Sequence, residues 1–75
     1  MSNVPVLSGR LVAAALARDG WQLARQRGSH MILVKEGQPA TLSVPDHREV
    51  ARGTLRSLIR SAGLTVDEFI ALARQ

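Results

Sequence analysis

The spacing of apolar residues changes twice along the chain. In GRLVAAALA, Leu11, Val12, Ala15 and Leu16 share one face of a 3.6-residue wheel. Ser8 stands before them as an N-cap and Gly20 after them as a left-handed C-cap, which predicts a first helix of about three turns. Past Gly20 the period drops to two. WQLAR alternates with Trp21 and Leu23 toward one face, HMILVK is a continuous apolar run with β-branched members, and ATLSV alternates again with Leu42 and Val44 inward. QRG and EGQP supply the turns, because Gly28 and Gly37 accept positive φ without steric cost. The three runs predict an antiparallel meander, closed at Pro45, which cannot donate to a ladder. Helical spacing returns in RGTLRSLIRSA, with Leu55, Leu58, Ile59 and Ala62 on one side and a stop at Gly63. Thr65 followed by Glu68 forms a capping box for a short last helix in VDEFIALAR, where Phe69, Ile70 and Leu72 are apolar.

This order predicts an α+β fold, α-β-β-β-α with a short C-terminal helix, built on a three-stranded antiparallel sheet and spanning residues 1–75 as a single domain. The helices lie on one face of the sheet and leave the other open. Double-stranded RNA-binding domains have this architecture, as do several other small α+β folds. HMILV is apolar on both faces, so the pattern does not assign His30 to either side of the sheet.

Composition narrows the chemistry. The chain has 75 residues and no cysteine, which excludes disulfides and thiolate metal sites. Only His30 and His47 remain as nitrogen ligands, and no metal or cofactor is expected. The longest apolar run, LVAAALA, is far short of the ~18 residues of a membrane span. The start MSNVPVL lacks the basic segment of a signal peptide, so a cytoplasmic protein is expected. Net charge is +4, and nine of the ten basic residues are arginine, whose planar fork grips phosphate in a bidentate manner. Residues 1–63 carry +5 and the last twelve carry −1, which makes nucleic acid the first partner to consider. An arginine excess also arises from GC-rich coding. Arg52, Arg56 and Arg60, four residues apart with no acid between them, form a ridge on the second helix suited to a phosphate backbone.

Candidate chemistry sits in RQRGSH. Arg25 and Arg27, with a tight turn at Gly28 and Ser29, can hold a phosphate beside His30, whose side-chain type titrates near neutrality. Metal-free RNA cleavage needs such a pair: a base for the 2′-hydroxyl proton and cations for the charge that builds on phosphorus. His47 is a possible second proton-transfer group, although a loop histidine near a helix start is as easily structural. Trp21 and Phe69 are the only aromatic residues and both fit core positions, so a base-stacking platform cannot be built and contacts fall mainly on the backbone. The segment TLRSLIRSAGLTVDEFIAL also has a helix-turn-helix outline, but its would-be reading helix begins with Asp67 and Glu68, which repel phosphate. From the residues alone, two further readings stay open. One is a non-catalytic RNA-binding module. The other is an interaction protein whose positive face meets an acidic partner.

Five segments in order and spacing, SGR (Ser8 to Arg10), DGW (Asp19 to Trp21), RQRGSH (Arg25 to His30), VPDH (Val44 to His47) and GTLRSLIRSAGLTVDEF (Gly53 to Phe69), resemble the HicA family of toxins from bacterial toxin–antitoxin modules. The resemblance runs from Leu7 to Leu72. It implies a fold like the double-stranded RNA-binding domain and a ribosome-independent endoribonuclease that cleaves mRNA and halts translation. It also implies a functional histidine at His30. The implied partner is a HicB-type antitoxin that covers the active surface and commonly carries a DNA-binding domain. The chain departs from the pattern at Met31, where many members have a second histidine.

Overall fold

A computed structural model describes residues 3–75. The elements follow the order α1 (Gly9–Ala17), β1 (Gln22–Arg27), β2 (His30–Val34), β3 (Leu42–Pro45), α2 (Arg52–Ser61) and α3 (Val66–Ala73). The strands form one antiparallel sheet in the order β1-β2-β3, with the helices packed against a single face, as the α+β pattern predicts. Among the described residues no helix is long and apolar enough to cross a membrane.

α1 and α3 start where their caps predict, whereas α2 follows Ala51, which makes no side-chain cap hydrogen bond. The Ser8 hydroxyl accepts from the Leu11 N–H at 3.2 Å. Thr65 and Glu68 complete a capping box in which Glu68 accepts from the Thr65 N–H at 2.8 Å. Capping of this kind satisfies N–H groups that have no partner inside the helix. α1 is shorter than its sequence suggests: it ends at Ala17, and the chain turns through Gly20 at φ +100°.

The core is one cluster between sheet and helices. Val12, Ala15 and Leu16 of α1, Met31 and Leu33 of β2, Leu42 and Val44 of β3, Leu55, Leu58 and Ile59 of α2, and Phe69 of α3 are all buried within it. Trp21, immediately before β1, is buried as well. Two apolar residues expected inward lie outside. Leu11 is 57% exposed because it falls about 40° beyond Ala15 on the helical wheel, past the edge of the buried arc. Leu23 is 58% exposed, on an edge strand whose six residues are all exposed. The β1–β2 register shifts between Leu23 and Arg25, so the simple alternation expected from Trp21 onward is broken by a bulge.

Gly9 fixes how α1 meets the sheet. It is buried, its N–H donates to the His47 carbonyl at 2.9 Å, and a Cβ built on it would collide with the Pro45 carbonyl oxygen. Neither atom in that clash belongs to a flexible side chain, so relief requires α1 to move. Gly9→Ala is expected to lower stability by about 1–3 kcal/mol in chemical denaturation, the range for overpacking a tight contact. Ser8→Ala one residue earlier costs about 1 kcal/mol, through the lost cap alone.

Candidate nucleic-acid interface

The RQRGSH segment becomes the hairpin joining β1 to β2. Gly28 has φ +58° and Ser29 does not have positive φ, the pattern of a two-residue turn with glycine in its first central position. The turn sets Arg27 directly opposite His30, and the next outward pair joins Arg25 to Ile32. Side chains opposite each other in an antiparallel ladder share a face. Met31 and Leu33 are buried beneath the helices while His30 is exposed, so His30, Arg27 and Arg25 share the open face of the sheet. This assigns the histidine a side that its apolar neighbours had left undetermined. Met31 is only 6% exposed and points into the core. The position where the HicA-like pattern often has its second histidine is therefore on the opposite side of β2 from His30.

Three other segments meet this hairpin. β3 ends beside it, with Pro45 opposite His30, and the Asp46 N–H donates to the Ser29 carbonyl at 2.6 Å. The Asp46 carboxylate accepts from Gln26 Nε2 and from Arg10 Nε, both at 3.4 Å, and Gln26 Nε2 also donates to the Gly28 carbonyl at 3.2 Å. Gly9 bonds the His47 carbonyl, and the Val50 N–H donates to the Leu7 carbonyl at 2.8 Å. The start of α1, the β1–β2 turn, the end of β3 and the start of α2 therefore gather at one end of the molecule. Among the described residues the Gly28 and Ser29 N–H groups donate to no internal partner, which leaves both available to an anion.

The residues singled out by sequence divide between two places. His30, Arg25, Arg27, Gly28 and Ser29 are together, and His47 follows in the chain two residues after His30's ladder partner. Arg52 opens α2, two residues after the Val50 tie, at the same end. Arg56 and Arg60 lie about 6 and 12 Å further along the helix axis, at 1.5 Å per residue, leading away from the hairpin. The three arginines form a helix flank whose first member, Arg52, starts at the hairpin end of the molecule. Arg10, Gln26, Asp46 and Arg48 belong to this end and were not distinguished by sequence. Arg10 and Arg48 add exposed cations, and Asp46 and Gln26 brace the turn. The available signal was that Arg10, Gln26 and Asp46 fall inside the SGR, RQRGSH and VPDH segments. No group of three or more His, Cys, Asp or Glu able to hold a metal ion occurs among the described residues.

A family model described as the HicA toxin of bacterial toxin–antitoxin matches residues 9–64, three-quarters of the chain. The chain belongs to the HicA toxin family. No individual curated protein matches it. The matched region opens at Gly9, whose close approach to β3 builds the hairpin end, and closes just after the glycine that stops α2. Membership makes this chain the toxin of a toxin–antitoxin pair.

The Asp46 brace gives a testable consequence for this HicA-family chain. Its ion pair with Arg10 is largely exposed on the arginine side, so it adds little to global stability. Asp46→Ala is expected to change unfolding free energy by less than about 1 kcal/mol, while the amide of residue 46, which donates to the Ser29 carbonyl, loses protection from hydrogen exchange. Unchanged protection of that amide would show that the carboxylate does not hold the turn.

Proposed function

We propose that this HicA-family toxin is a metal-independent endoribonuclease that binds mRNA at the hairpin end and cleaves it with His30. The observation that carries the reading is the pairing of His30 with Arg27 on the open sheet face, next to a turn with two unengaged N–H groups. A phosphate resting on the Gly28 and Ser29 amides and on the Arg27 and Arg25 guanidiniums would sit within reach of the imidazole. His30 then takes the proton from the 2′-hydroxyl. The 2′-oxygen attacks the adjacent phosphorus, a 2′,3′-cyclic phosphate forms, and the bond to the 5′-oxygen breaks. That leaving oxygen acquires a proton from His47 or from water, which balances the step. The arginines and turn amides stabilise the charge that accumulates on the phosphoryl oxygens. Arg52, with Arg10 and Arg48, continues the contact along the RNA backbone. Arg56 and Arg60 are left out of this path because they lead away from it.

Met31 contributes no proton in this scheme, since its thioether carries none, and it is buried on the other side of β2. The partner is a HicB-type antitoxin, and the compartment in which mRNA is met is the cytoplasm. Occlusion of the hairpin end by the antitoxin would silence the activity.

In an assay with purified chain, chelator and a synthetic RNA, His30→Ala is expected to slow cleavage by at least about 100-fold, the usual contribution of an acid–base group, with RNA affinity within a few-fold of wild type. Equal cleavage by the two proteins would overturn the catalytic role, and binding without any cleavage by wild type would leave an RNA-binding module. RNA affinity should also fall steeply with salt, and Arg27→Ala or Arg52→Ala should each flatten the log–log slope by just under one unit. An affinity indifferent to salt would remove phosphate contact as the basis of binding.

A further inference from the structure

We infer that the cleft between the C-terminal half of α2 and the start of α3 is a docking site for an acidic segment of the antitoxin anchored by an apolar side chain. The cleft is lined by Arg56, Ile59, Arg60, Leu64, Thr65 and Val66. Leu64 and Val66, half-buried against the core, give it an apolar wall above the buried Ile59, and two arginines line it. Ion pairs elsewhere in the fold join Arg10 to Asp46 and Lys35 to Asp19, and among the described residues neither Arg56 nor Arg60 has an ion-pair partner. The Glu68 carboxylate is taken up by the capping box, and neither Glu68 nor Asp67 lines the cleft. The site therefore presents two available cations beside apolar surface.

That combination selects among polyanions. Arg56 and Arg60 are one helical turn apart, roughly 6 Å, a spacing that two neighbouring carboxylates or one bidentate carboxylate can meet. An RNA backbone would engage the arginines but would leave the exposed parts of Leu64 and Val66 without an apolar partner, and no aromatic ring lines the cleft for a base to stack on. A peptide carrying Asp or Glu next to a Leu, Ile or Val satisfies both halves. Arg60 is about 12 Å along α2 from Arg52, so a segment seated here leaves the hairpin end free for a second contact. An antitoxin holding both patches gains from linkage, because the second contact becomes intramolecular. The inference rests on the toxin–antitoxin pairing and is independent of RNA cleavage.

The test uses the full chain and its cognate HicB-type antitoxin, with affinity measured by calorimetry and folding checked by circular dichroism. Arg56→Glu/Arg60→Glu is expected to weaken antitoxin binding by about 100-fold or more, since like charges then face each other. Arg56→Gln/Arg60→Gln, which keeps side-chain length with no new charge, is expected to weaken it about tenfold. RNA affinity of both variants should stay within about twofold of wild type. Antitoxin affinity within twofold of wild type in the glutamate variant would overturn the docking site. So would retained antitoxin binding with a tenfold loss of RNA affinity, which would make the cleft part of the RNA path. If wild type binds no RNA yet loses its antitoxin on charge reversal, the docking site stands and the nuclease reading fails.

Discussion

Helix α1 can rest against the end of β3 only because residue 9 has no side chain. The Pro45 carbonyl occupies the space a Cβ would need, and the Gly9 N–H reaches the His47 carbonyl from the same position. That single close approach locks the loop after β3, and the loop in turn reaches back to the hairpin through Asp46 and Ser29. A small domain has little core with which to hold a loop cluster in place. Here the cluster is held by main-chain hydrogen bonds between segments far apart in sequence, with the Asp46 carboxylate adding a brace to Arg10 and Gln26. The histidine and its arginines inherit their mutual placement from this knot.

A second irregularity decides which way the arginines face. Strict alternation from Trp21 would send Leu23, Arg25 and Arg27 to one side together, an arrangement that buries charge or exposes the whole strand. The register shift between Leu23 and Arg25 separates them: Leu23 pairs with the inward Leu33, and Arg25 with the outward-facing Ile32. The bulge thereby brings Arg25 and Arg27 onto the open face with His30. Leu23 stays exposed because β1 is an edge strand that is exposed along all six residues. Bulged, positively charged edges also resist pairing with other strands.

The basic charge of the chain is thus divided between two surfaces. At the hairpin end, cations accompany a histidine and turn amides, a combination suited to a phosphate under attack. At the far end of α2, cations accompany apolar surface and no proton-transfer group, a combination suited to a protein segment. On the proposed reading, a toxin that binds RNA and is neutralised by a partner would have use for both, and separating them would let each surface have its own chemistry.

Much of this fold was legible in the sequence. Helical and alternating periods, the Ser8 and Thr65 caps, and glycine turns at Gly28 and Gly63 all report interactions within a few residues, so the chain states them locally. The same holds for arginine dominance, and the spaced segments from SGR to DEF sufficed for the family. The face of His30, the inward turn of Met31, the exposure of Leu23 and the convergence of Arg10 and Asp46 on the hairpin were decided only by tertiary structure. Each depends on which distant segment lies opposite, through ladder register and one glycine's contact with a carbonyl nearly forty residues away. Periodicity carries no information about such pairings, because an apolar run such as HMILV fits the sheet equally well with either face inward.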